Sequence, residues 1–187
     1  MTSSAKALPT QKGIDRRSSH LRAWLWAAVI LAGFALLPRL ASFPSAMIGQ
    51  PAPDFVLPVV LNGQVGEKVQ LSQLSGKAVV LSFWASWCGP CRAEAPSVDR
   101  LSRRLEDKGV KVLGINTSDD PDKAIAFARQ KGLSFPIVSD EDGKVSQAFG
   151  VSSLPTIVVV DKNGKVMAVR SGVTDESSLE SLALSAR

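Results

Sequence analysis

The chain has two cysteines, Cys88 and Cys91, and the short spacing between them decides most of what it can be. A structural disulfide framework uses several cysteines at wide spacings, because closing long loops is what stabilises such folds. Two sulfurs three positions apart close no long loop. A zinc site would need two further ligands, and the only histidine, His20, lies far upstream. What remains is a redox pair. No metal and no organic cofactor is expected, since the Cys88/Cys91 dithiol is itself the redox centre.

The surroundings of the pair sharpen this reading. Ala78–Trp84 (AVVLSFW) is short, apolar and β-branched, as a buried central strand should be. Beyond the cysteines, Val98, Leu101 and Leu105 form the apolar stripe of a helix that Gly109 should stop. A strand that runs through a loop into a helix puts Cys88 at the helix N-terminus. Unpaired N–H groups there favour an anion and lower the thiol pKa. Gly89 relieves crowding, Pro90 presets φ for the first turn, and two intervening residues leave the sulfurs within bonding reach. Cys88 is therefore the expected attacking thiolate, and Cys91 the thiol that resolves the mixed disulfide. Pro96 lies inside the helix and is expected to kink it.

Along the rest of the chain, residues 55–60 and 68–71 read as strands joined through a hairpin signal at Asn62-Gly63. Strands are expected at 110–116 and 134–138, with a helix between them opened by Asp119-Asp120-Pro121 and ended at Gly132. An acidic turn at 140–143 and a short helix to Phe149 follow. Thr156–Val160 and residues 165–169 flank Lys162-Asn163-Gly164, the clearest hairpin, and 175–186 forms a last helix. The order implies an α/β domain with a mixed central sheet flanked by helices.

The formal charge of +5 sits in the N-terminal part and not in this domain. Residues 1–22 hold five basic residues against Asp15, Arg39 adds one more, and residues 41–187 balance at sixteen of each sign. A nucleic-acid surface is therefore not expected. Residues 23–37 are an uncharged apolar run behind the basic cluster. Arg39 can snorkel and extend the span to residue 41, Trp24 and Trp26 suit the interface, and no small-x-small cleavage site follows. The expected organisation is a basic cytoplasmic tail at 1–22, a transmembrane signal-anchor at 23–41, a tether at 42–53 and a domain at 54–187. The basic cluster keeps the N-terminus inside, so the domain stands outside a bacterial inner membrane as a single-pass monomer.

Trp87-Cys88-Gly89-Pro90-Cys91 is the thioredoxin active-site motif, and Pro96 matches that superfamily's helix-kinking proline. Leu154-Pro155-Thr156 matches the loop whose proline, cis in these proteins, faces the cysteines and helps hold substrate backbone. The chain thus resembles the thioredoxin superfamily. Within it, IGQPAPDF at 48–55, LSQLSGK at 71–77 and CRAEAP at 91–96 resemble the membrane-tethered TlpA/ResA-type oxidoreductases, over roughly 48–175. The resemblance implies a thioredoxin-like fold with an N-terminal β-hairpin and one inserted helix near 121–132. It assigns catalysis to Cys88, Cys91, Glu94 and Pro155, and substrate contact to Trp87, Gly89, Pro90 and Leu154. The implied partners are disulfide-bearing extracytoplasmic proteins, often apocytochrome c, and a membrane thiol-reductant donor.

Thioredoxins place an acidic residue six positions before the first cysteine, but that position here is Ser82, which cannot accept a proton. Glu94 lies three residues after Cys91 on the same helix face and is the expected proton acceptor, its pKa raised by burial. A peroxiredoxin shares the fold and the PAPDF opening, but wants Pro and Thr ahead of its cysteine, where Trp84–Ser86 stand. A copper-delivery protein needs a wider cysteine spacing and a distal histidine. A disulfide oxidase usually has a histidine between its cysteines. Gly89-Pro90 supplies no such charge, so a reductase is expected.

Overall fold

The computed structural model describes residues 47–187 and, upstream of them, only Trp26. The expected tail and anchor otherwise lie outside the described residues. Among the described residues no helix is long and apolar enough to cross a membrane.

Seven strands form one mixed sheet: β1 (Val56–Leu61), β2 (Lys68–Gln70), β3 (Ala78–Trp84), β4 (Val110–Thr117), β5 (Ile137–Asp140), β6 (Thr156–Val160) and β7 (Val166–Ser171), in the order β2-β1-β5-β4-β3-β6-β7. β3, β4 and β5 run parallel, while β1 and β6 join them antiparallel. Among residues 47–187 there are four α-helices: α1 (Gly89–Glu106), α2 (Pro121–Lys131), α3 (Lys144–Ala148) and α4 (Glu176–Ser185). A 3-10 turn spans Leu71–Leu74.

β3 is buried along its whole length, which is why its sequence is an unbroken apolar run rather than an alternation. Its two faces feed two cores. Ala78 and Val80 pack with Val98, Leu101 and Leu105 of α1, Phe127 of α2 and Leu179 of α4. Val79, Leu81 and Phe83 pack with Phe55, Leu71 and Phe149 on the other side. Helix α1 continues through Pro96, whose missing N–H leaves the Arg92 carbonyl without its usual donor.

Two expectations need correction. The strand expected at 134–138 lies at Ile137–Asp140. Ser134 is held elsewhere, its N–H and Oγ both donating to Asp99 Oδ1 of α1, and Pro136 has no N–H for the ladder. Asp140, expected in a turn, ends β5 buried, and its carboxylate accepts from Thr117 Oγ1, Val145 N and Ser146 N at 2.7–2.9 Å. The hairpin signalled at Asn62-Gly63 forms, β1 and β2 pairing antiparallel from Val56 opposite Gln70 to Pro58 opposite Lys68. Asn62 takes φ +56°, and its amide reaches out to the carbonyls of Leu133 (2.6 Å) and Phe135 (3.1 Å).

The stretch expected as tether is also paired from Gly49 onward. Gly49 N donates to Val166 O (2.7 Å), Val166 N to Gln50 O (2.9 Å) and Ala52 N to Gly164 O (2.8 Å). The hairpin between β6 and β7 forms as its sequence indicates. Asp161 Oδ1 accepts from Asn163 N and Lys165 N, and Gly164 supplies the positive φ.

Candidate active site

The parallel strands β3 and β4 end side by side, with Trp84 opposite Asn116. The loop that leaves β3 there turns back through a Cys88 N to Ala85 O hydrogen bond and enters α1. Cys88 is the N-cap of α1, with extended backbone, and its Sγ accepts from Cys91 N at 3.2 Å. That is the donor-rich position the sequence assigned to it. Cys88 and Cys91 are disulfide-bonded with Cα atoms 5.3 Å apart. Both are nearly closed off from solvent, at 5% and 2% exposure, whereas Trp87 stands out at 65% and Gly89 and Pro90 are exposed.

Glu94 lies one turn further along α1, on the buried face. Its Oε1 accepts from Thr174 N at 2.8 Å, on the loop between β7 and α4. Burial pushes its carboxyl above the ordinary carboxylate range, and the Thr174 N–H opposes that rise only in part. Cys91, Glu94, Ser82, Trp84 and Phe135 line one narrow cavity. The structure thus brings Glu94 and Cys91 together, as their helical spacing requires. It also places Ser82, the position that is acidic in thioredoxins, at the same spot.

The Leu154-Pro155 peptide is cis. Pro155 is buried at the head of β6, whose first residue, Thr156, pairs with Phe83 one residue before β3 ends. Pro155 therefore sits at the cysteine end of the sheet, with its carbonyl accepting from Gly172 N at 2.8 Å. Leu154 is half-buried and packs against both cores.

Sequence reasoning missed several neighbours. Arg92, in the first turn of α1, lays its guanidinium 5.1 Å from the centre of the Phe127 ring and reaches Ser86 O. Asp119 was expected only as part of a helix start. The N-cap of α2 is in fact Asp120, whose carboxylate accepts from Asp122 N, so Asp119 is free to bond elsewhere.

The AhpC/TSA family model matches residues 48–169, most of the domain. The chain belongs to the AhpC/TSA family. Relatives within this family narrow the comparison. The thiol-disulfide oxidoreductase ResA of Geobacillus thermodenitrificans is 37% identical over 133 residues, 71% of this chain and 74% of the relative. The structure of a Chlorobium tepidum protein described as thiol:disulfide interchange protein DsbE superposes with TM-score 0.68 at 36% identity, covering 74% of this chain and 96% of that one. A secreted thiol-disulfide isomerase of Corynebacterium glutamicum gives TM-score 0.66 at 28% identity, covering 72% and 83%. With the Cys88–Cys91 pair at the start of α1, this AhpC/TSA member is a thiol:disulfide oxidoreductase.

Proposed function

We propose that the protein reduces disulfides of extracytoplasmic client proteins, apocytochrome c among them, while anchored by its N-terminal segment. The observation that carries this reading is the disulfide at the α1 N-terminus with a buried carboxyl on the same helix face. In the reduced protein the Cys88 thiolate attacks a client sulfur, forms a mixed disulfide and expels the client's other sulfur as thiolate. Cys91 passes its proton to Glu94, and the Cys91 thiolate attacks Cys88 Sγ. The Cys88–Cys91 disulfide forms, and the client leaves with both sulfurs reduced. Glu94 passes its proton to a departing client thiolate, and two electrons and one proton from a membrane dithiol donor restore the Cys88 thiolate and the Cys91 thiol.

In this scheme the exposed Trp87, Gly89 and Pro90 meet the client, with Leu154 and Pro155 against its backbone. No charge stands between the cysteines to stabilise the Cys88 thiolate further, which supports reduction over oxidation. The basic residues ahead of 23–37 and the likeness to a secreted relative support a domain outside the cytoplasm.

The roles are tested by paired variants. Cys88→Ser should abolish reduction of a model disulfide, and Cys91→Ser should accumulate mixed disulfides that non-reducing gels resolve. Equal alkylation rates for the two reduced thiols at neutral pH would overturn the assignment. A reporter fused after Arg187 should be active only if it works outside the cytoplasm, and a cytoplasm-dependent reporter that functions there would refute the topology.

A further inference from the structure

The two residues ahead of Cys88 are held by two consecutive residues of the loop between β4 and α2. Asp119 accepts from Ser86 N at 2.5 Å, Ser86 Oγ at 3.0 Å, Asn116 Nδ2 at 2.8 Å and its own neighbour Asp120 N at 2.9 Å. Trp87 Nε1 donates to Ser118 O at 3.1 Å. Ser86 is buried at 8% exposure, so its N–H would have to be satisfied by protein, and Asp119 does this with a charge-assisted bond. Ser118 reaches its position with φ +49°, which a non-glycine residue adopts only when its surroundings hold it. Its N–H is fixed to Asp140 O, and a side chain at Gly143 would come within 2.7 Å of its Oγ.

We propose that Asp119 is a positioning residue for the redox reaction, holding the Ser86–Trp87 segment so that Cys88 is presented at the α1 N-terminus in its attacking geometry. The loop from β3 to α1 is tied internally by the Cys88 N to Ala85 O bond, and its outer side rests on Asp119 and Ser118. Arg92 adds a second tie, reaching Ser86 O from one side while stacking on Phe127 of α2. Helix α2 and the loop that opens it are in this way a brace on the redox loop.

The inference rests on Cys88 being the attacking sulfur, and the experiment separates the two claims. Turnover of a model disulfide is measured for Asp119→Ala, Asp119→Asn, Asp119→Glu, Ser86→Ala and Cys88→Ser. The rate of Cys88 alkylation is measured in the reduced, folded forms of all but the last. Asp119→Ala should lower kcat about tenfold with KM little changed, because misplacing a reacting group by about 1 Å costs up to ~100-fold. Asp119→Asn, which keeps one acceptor oxygen, and Ser86→Ala, which loses one of two bonds, should fall between. Asp119→Glu, which restores the carboxylate, should recover most of the loss. Alkylation rates should follow the same order.

A purely structural role predicts lower melting temperatures with unchanged kcat and unchanged alkylation in the folded variants, and that result overturns the proposal. If Asp119→Ala does not fold, the isosteric Asp119→Asn and Ser86→Ala decide. A dead Cys88→Ser beside wild-type Asp119 variants refutes the brace alone. An active Cys88→Ser refutes the exchange reading beneath it.

Discussion

Glu94 shows how one side chain links burial to chemistry. At 3% exposure its carboxylate has lost nearly all its water, and a single N–H from Thr174 replaces it. The folded protein therefore holds this proton more tightly than the unfolded chain does. Below the ordinary carboxyl range both states are protonated and the group is neutral to stability. As pH rises the unfolded chain ionises first, so stability falls through the interval up to the raised folded pKa and does not return above it. Glu94→Gln removes the titration while keeping the shape. Urea unfolding of the oxidised protein from about pH 4 to about pH 8 should show that fall in wild type and lack it in the variant. The variant should also resolve mixed disulfides more slowly, and unchanged resolution across neutral pH would reduce Glu94 to a packing residue. The placement of Cys88, Cys91 and Glu94 along one helix was legible in the sequence because helix spacing relates them and the family resemblance marks the same positions. Asp119 was not, because its partner Ser86 is 33 residues away and only the parallel pairing of β3 with β4 brings the two loops together.

At the level of elements, the same contrast separates what pattern fixes from what packing decides. The strand at Ala78–Trp84, the helix after Cys88 and the Asp120-capped helix were readable from periodicity and caps. β5 was misplaced because the atoms that set its start belong to Asp99 on another helix. Gly114 in β4 is closely packed. A Cβ there would come within 2.6 Å of the Phe135 ring and 3.1 Å of Trp84 Nε1. Gly114→Ala should therefore cost about 1–3 kcal/mol through overpacking. The displaced Trp84 and Phe135 both line the Cys91 cavity, so tryptophan fluorescence and Cys91 reactivity should change together. A variant as stable as wild type would show that the ring shifts freely. Leu101, fully buried in α1, offers the opposite test. Leu101→Ala opens a cavity under the helix and should cost about 2–5 kcal/mol in chemical denaturation.

In the whole molecule, sheet polarity gathers the site at one end. β3 leads into the cysteine loop, β4 into the loop that carries Asp119, and β6, running the other way, begins just after Pro155. The opposite end carries the turn between β6 and β7, and there residues 49–52 pair with Gly164 and Val166. The sequence 42–53, rich in proline, glycine and serine, resembles free linker, and its composition carries no signal of a backbone-only pairing with a strand edge. That pairing covers part of the exposed edge of β7, where unmet N–H and C=O groups would otherwise invite association. It also defines where the domain begins, which two truncations can locate. A protein of residues 47–187 keeps every one of these bonds and should fold and reduce a model disulfide at the full-length rate. A protein of residues 54–187 loses the three bonds made by Gly49, Gln50 and Ala52. At about 0.5–1.5 kcal/mol each, that loss should lower unfolding free energy by about 1.5–4.5 kcal/mol. It should also promote self-association through the uncovered edge, measurable by sedimentation, while the cysteine end keeps its exchange rate wherever the domain is folded. Equal stability of the two truncated proteins would show that the pairing at 49–52 adds nothing to the fold and that the domain starts at Asp54.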